Sequence, residues 1–211
     1  MKLLHNIKKI WQAEKTQLAY QELKKIAKDD PYKFPWWVLT TASTASSFED
    51  HPIIGNVTLN QLGLHEARVK WAAKLAQQRR AKLAQFLSAE DAEQFEKNGF
   101  ICKENFLPEA EFLALKAELL DKPLPTRETL QGDTVTRRMA LDYRNLPQLP
   151  QTQKLLNSSQ WQHLINYVGS FKIEPMYYVQ VILSHIRKAR PDPQTSLHSD
   201  TFHSSMKAWL F

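Results

Sequence analysis

The period of the apolar residues changes along this chain, and the change limits the fold more than any other feature. Before Pro123, apolar residues recur at three- and four-residue steps, the spacing of one face of a helix. After it, Thr134-Val-Thr-Arg-Arg-Met-Ala-Leu141 and Met176-Tyr-Tyr-Val-Gln-Val-Ile-Leu-Ser-His185 are rich in β-branched and aromatic residues and read as strands. Helices first and strands later, rather than in alternation, specify an α+β architecture.

The helical half divides at its stop signals. Residues 2–28 carry Leu3, Leu4, Ile7, Ile10, Trp11, Leu18, Leu23 and Ile26 at helical spacing, with most lysines off that stripe, and Asp29-Asp30-Pro31 ends the pattern. A basic amphipathic helix of this kind can lie in a membrane interface, but packing on its own domain is the plainer reading. Residues 31–63 read as irregular, punctuated by Pro31, Pro35 and Pro52. Within them Phe34-Pro-Trp-Trp-Val38 is an apolar knot, read as buried packing in preference to a lipid anchor. Residues 64–87 form the clearest helix, with a basic face read as solvated and Arg79-Arg80 suiting its own C-terminal dipole. Ser88, with Asp91 three residues on, starts the next helix, and Asn98-Gly99 stops it. Phe100–Lys103 reads as a short strand, and Pro108 opens a helix that Pro123 and Pro125 end. Pro147 and Pro150 make a turn, residues 151–168 are helical, and Ser204–Phe211 is a last strand.

Charge separates the two parts. The formal net charge is +6; residues 1–90 hold 14 Lys+Arg against 8 Asp+Glu, and residues 91–211 hold 14 of each. An excess confined to one region points to an acidic partner surface, lipid or nucleic acid. Nucleic acid is the weaker choice, because the interleaved exposed aromatics of single-strand binders are not evident. The single Cys102 excludes an intramolecular disulfide framework and a multi-cysteine zinc site. It reads as a buried free thiol. No stretch reaches the roughly 20 apolar residues of a spanning helix, and the start lacks a signal-peptide core, so a reduced cytoplasmic protein, with membrane-peripheral contact left open, is the expectation.

The chemistry concentrates at Leu197-His198-Ser199-Asp200. Residues two apart in a strand point to the same side, so His198 and Asp200 would project together as two sides of a metal site. Two histidines and one carboxylate on one face is the arrangement of non-haem Fe(II) oxygenases. His185, on an apolar strand, reads as core or pocket lining, and His51, His65 and His163 as isolated.

Three segments then carry a resemblance. Glu96-Lys-Asn-Gly-Phe-Ile-Cys-Lys-Glu-Asn-Phe-Leu-Pro-Glu109, Gly132-Asp-Thr-Val-Thr-Arg-Arg138 and Leu197-His-Ser-Asp-Thr-Phe-His203 with Met206-Lys-Ala-Trp-Leu-Phe211 resemble the phytanoyl-CoA dioxygenase family, over residues 88–211. The resemblance implies a double-stranded β-helix (jelly-roll) dioxygenase using Fe(II) and 2-oxoglutarate. It implies iron binding by His198 and Asp200, and approach to 2-oxoglutarate by Gln180 and one of Arg137 or Arg138. Strand alternation lets only one of those arginines face inward. Trp209 falls where the family often has an aromatic near the pocket. The family's distal His ligand and its 2-oxoglutarate Arg lie on later strands, and His203 is turned away from the Asp200 face by the pleat. The expectation is therefore either a C-terminally truncated product or fragment of a longer enzyme or a degenerate member, inactive as it stands, with a basic helical region over 1–87 and an incomplete jelly roll over 88–211. Its substrate would be a small or lipid-linked molecule. The competing reading is a non-catalytic protein whose basic N-terminal helices bind anionic membrane or nucleic acid.

Overall fold

A computed structural model describes residues 2–42, 50–172, 174–197 and 205–211, with side chains from residue 12 onward. Among the described residues the chain is mostly helical, with one three-stranded antiparallel sheet, which is the α+β class. Two compact units are present, one within Met1–Ala76 and one built from Gln77–Asp200 and Ser205–Phe211. Among the described residues no helix is long and apolar enough to cross a membrane.

In the first unit, α1 (Lys2–Asp29) stops where Asp-Asp-Pro predicts. The Asp30 carboxylate turns the chain by accepting the Lys33 backbone N–H at 3.1 Å while Lys33 Nζ lies 3.2 Å away. Residues 31–63 are not irregular throughout: they hold α2 (Phe34–Thr40) and α3 (Val57–Gln61). Pro35 sits in the first turn of α2, where its missing N–H costs nothing. Asn56 caps α3 by accepting the Leu59 N–H at 2.8 Å. The core is Ile26, Ile53 and Leu59, with Leu23, Phe34, Trp37 and Leu64 packed around it. Each such aliphatic side chain contributes about 1.5–3 kcal/mol by leaving water. The apolar knot is therefore split: Phe34 and Trp37 face this core, whereas Trp36 is 66% exposed.

The division between the units falls within α4 (Leu64–Leu83). In the second unit, α5 (Ala89–Asn98) begins and ends as its sequence signals require. Ser88 Oγ accepts the Asp91 N–H at 3.2 Å, and Gly99 takes the left-handed conformation with φ 77°. The Asp91 carboxylate pairs with Lys103 Nζ at 2.7 Å. Phe100–Lys103 is not a strand; the Cys102 N–H is held instead by the Gln94 side-chain oxygen, and Cys102 is exposed rather than buried. α6 (Glu109–Asp121) presents Glu118 to the start of α7 (Pro150–Leu156), where it accepts N–H bonds from Gln151 at 2.9 Å and Thr152 at 2.8 Å. α8 (Ser159–Gly169) is capped by Ser158. Leu115, Leu149, Leu155, Leu156 and Ile165 form the apolar interior of these helices.

Arg79 and Arg80 do not belong to a solvated basic face. Arg80 donates to the Tyr167 carbonyl (3.2 Å) and the Val168 carbonyl (2.9 Å), and Arg79 to the Ser170 carbonyl (3.1 Å). They bond to carbonyls at the C-terminal end of α8, where cations are favoured, rather than acting on their own helix; the Tyr167 carbonyl also accepts the Ser170 N–H at 3.1 Å.

The sheet has the order β1 (Thr126–Gln131), β2 (Thr134–Ala140), β3 (Tyr178–Leu183). Gly132-Asp133 closes the first hairpin. Gly132 has φ +56°, and a Cβ there would lie 2.3 Å from the Arg190 carbonyl oxygen, so only glycine fits. Residues 205–211, read from the sequence as a strand, are not in a strand. An extended segment needs a ladder partner, and the described part of the chain offers it none.

Candidate anion-binding site

Register fixes which side chains share a face of the sheet. Directly opposed residues in an antiparallel pair stand side by side. Arg127 on β1 opposes Arg138 on β2, and Arg138 opposes Gln180 on β3. These three form one row across the sheet, on the face that also carries Tyr178. Arg138 Nε donates to Gln180 Oε1 at 3.0 Å, and the Arg138 guanidinium lies 5.8 Å from the Tyr178 ring centre. The next row belongs to the opposite face: Glu128 opposes Arg137, which opposes Val181. There Arg137 Nε pairs with Glu128 Oε2 at 2.7 Å. Of the two arginines proposed from sequence, Arg138 shares the face of Gln180, and Arg137 is committed to an ion pair on the other side.

The row has a defined chemistry. Two guanidinium groups directly opposite each other repel, at a cost of roughly 0.2–1 kcal/mol on an exposed sheet. An anion between them removes that cost. Among the described residues the terminal nitrogens of Arg138 have no hydrogen-bond partner, so its fork is available to a carboxylate or phosphate. Gln180 uses its oxygen on Arg138, which leaves its amide N–H groups to donate to the same ligand. Sequence reading missed Arg127 because it missed β1. The signal was present: Gly132-Asp133 is a two-residue hairpin turn, and Thr126–Gln131 lies before it.

The tip of this hairpin is clasped by the segment after β3. Ile186 N–H donates to the Asp133 carbonyl at 3.0 Å, Arg187 Nε to the Gly132 carbonyl at 2.9 Å, and His185 Nδ1 lies 2.7 Å from Asp133 Oδ2. The Thr134 hydroxyl and His185 hold the Asp133 carboxyl below its ordinary value, against the opposing effect of burial. His185 is not core or pocket lining. β3 ends at Leu183, the backbone turns out with φ 58° at His185, and its side chain is largely exposed.

His198 and Asp200, the metal ligands proposed from sequence, lie outside the described residues, as does His203. Among the described residues no group of three or more His, Cys, Asp or Glu is placed to hold a metal ion. Trp209 is described and is 65% exposed. His51 and His163 are not isolated: His51 bonds to Thr40, Ile53 and Ile54, and His163 stacks on Phe86 with ring centres 5.0 Å apart.

Comparison with protein-family models, with curated proteins and with solved structures finds no match to this chain.

Proposed function

We propose that the second unit belongs to a non-haem Fe(II)/2-oxoglutarate-dependent dioxygenase that hydroxylates a small-molecule or lipid-like substrate, its sheet forming part of a jelly roll. The observation that carries this reading is the row Arg127–Arg138–Gln180: the residues assigned to the co-substrate from sequence, Gln180 and one arginine, stand hydrogen-bonded on one face. Their donor set fits a carboxylate. Arg138 would hold a carboxylate of 2-oxoglutarate through its free fork, Arg127 would add a second positive charge, and Gln180 would orient it through its amide N–H groups. His198 and Asp200 would hold the iron. Bound iron and 2-oxoglutarate supply the oxidising power for O₂-dependent hydroxylation of a C–H bond.

The test is anaerobic calorimetric titration of 2-oxoglutarate with Mn(II) in place of Fe(II), on this chain and on a version extended past Phe211. Arg138→Met is expected to weaken binding on the order of tenfold or more, the scale of a lost charge-assisted pair. Arg137→Met is expected to leave it unchanged. No binding and no aerobic succinate formation in either version, or loss with Arg137→Met alone, would sink the reading.

A further inference from the structure

The short helix α2 has two apolar faces, and only one of them is used by the core. Phe34 and Trp37 pack inward on Ile26, Ile53 and Leu59. On the outer side Trp36 and Leu39, three residues apart, are 66% and 70% exposed, and Tyr32, in the turn just before the helix, is 95% exposed. Pro35 lies between them and is also exposed. Large aromatic side chains grouped on the surface mark a contact surface rather than ordinary scatter.

We infer that this outer face of α2 docks on an anionic membrane surface. The side-chain chemistry favours that occupant. Tyr and Trp have an apolar body and a polar tip, the combination that settles at headgroup level. Neither the Tyr32 hydroxyl nor the Trp36 indole N–H has a hydrogen-bond partner among the described residues, so both tips remain open to headgroup oxygens and water. Charge favours it too. Residues 31–48 contain no Asp or Glu, and the exposed Lys24, Lys25 and Lys28 occupy the last turns of α1 just before the patch. Glu22, Asp29 and Asp30 oppose them, but Asp30 is held by Lys33 and Glu22 by the Asn56 amide. The whole net charge of +6 lies in residues 1–90, so the unit that carries the patch lies within the basic part of the chain. Apolar insertion and attraction to acidic lipid act together in interfacial binding, and neither suffices alone.

The experiment is flotation of the full chain with vesicles of phosphatidylcholine mixed with phosphatidylserine, and with phosphatidylcholine alone, at low and high salt. Binding is expected to the mixed vesicles and to weaken with salt. Trp36→Ser with Leu39→Ser is expected to lower partitioning on the order of tenfold, and Trp36→Phe by much less. Both positions are exposed, so circular dichroism should match the parent. Lys24→Glu with Lys25→Glu is expected to cost at least roughly fivefold per charge at low salt. Equal partitioning of parent and the serine double variant would overturn the inference. So would a concentration-dependent dimer, or duplex DNA binding, that the serine variant abolishes.

Discussion

His51 is a neutral imidazole held at three points. Its Nδ1 accepts the N–H groups of Ile53 (3.2 Å) and Ile54 (3.1 Å), so the proton sits on Nε2, which donates to Thr40 Oγ1 at 2.8 Å. The Thr40 hydroxyl passes the chain on to the carbonyls of Trp36 (2.9 Å) or Trp37 (3.1 Å). Burial holds the pKa of His51 below its ordinary 6.5, and the Arg68 charge acts in the same direction. Protonating Nδ1 would turn an acceptor into a donor against two backbone donors. Below pH 6.5 the unfolded chain therefore binds more protons here than the folded one, and stability present above that pH is lost as pH falls. His51→Ala is expected to cost about 1–2 kcal/mol at neutral pH and to flatten the fall in urea midpoint below pH 6.5. A variant that kept the parental pH slope would assign the slope to other groups. The Asp91–Lys103 pair makes a second residue-level prediction. Asp91 is 7% exposed, so Lys103→Met, which leaves the carboxylate unpaired, is expected to cost about 2–3 kcal/mol in urea unfolding, and more than Lys70→Met, which breaks an exposed pair.

At the scale of elements, what was legible in the sequence is what local chemistry determines. α5 could be read end to end because its cap, Ser88, and its stop, Gly99, act within a few residues of themselves. α2 could not, because it is a single short run with no polar face, stabilised by packing Phe34 and Trp37 on residues far along the chain. The strands expected at 100–103 and 204–211 failed on pairing: β propensity specifies an extended chain only when a neighbour supplies the ladder, and the part of the second segment before residue 205 lies outside the described residues. β1 is the converse case, since Thr126–Gln131 has no strong propensity and exists because the Gly132-Asp133 turn folds it onto β2. That dependence is testable. Gly132→Ala would put a Cβ 2.3 Å from the Arg190 carbonyl at a φ of +56°, so a loss of about 2 kcal/mol or more is expected. Hydrogen exchange should then rise through β1 and the clasp at Ile186 and Arg187. A loss without faster exchange in β1 would show that the turn does not hold the strand.

Across the whole molecule, the candidate site was half legible for the same physical reason. Net charge did not point to it, since residues 91–211 are balanced at 14 basic and 14 acidic, but alternation said that only one of Arg137 and Arg138 could share a face with Gln180. Choosing Arg138 required the register of strands whose partners lie 42 residues apart. The same register exposes a second property of the sheet. On the face opposite the arginine row, Leu130, Val135 and Leu183 form an apolar row across all three strands. Val135 is buried, but Leu130 is 47% and Leu183 37% exposed. β1 and β3 are both edges of this sheet. An apolar row on a sheet whose two edges have no further strand among the described residues favours pairing with a second copy. The chain is expected to self-associate with rising concentration in sedimentation velocity. Leu130→Lys with Leu183→Lys should hold it monomeric at the same concentrations, with stability changed by no more than about 1 kcal/mol because both positions are partly in water. Thr129→Lys, on the arginine face, should leave the association as it was. If the Thr129 change suppressed association and the leucine changes did not, the contact would run through the arginine face, and the anion proposed to sit there would compete with it.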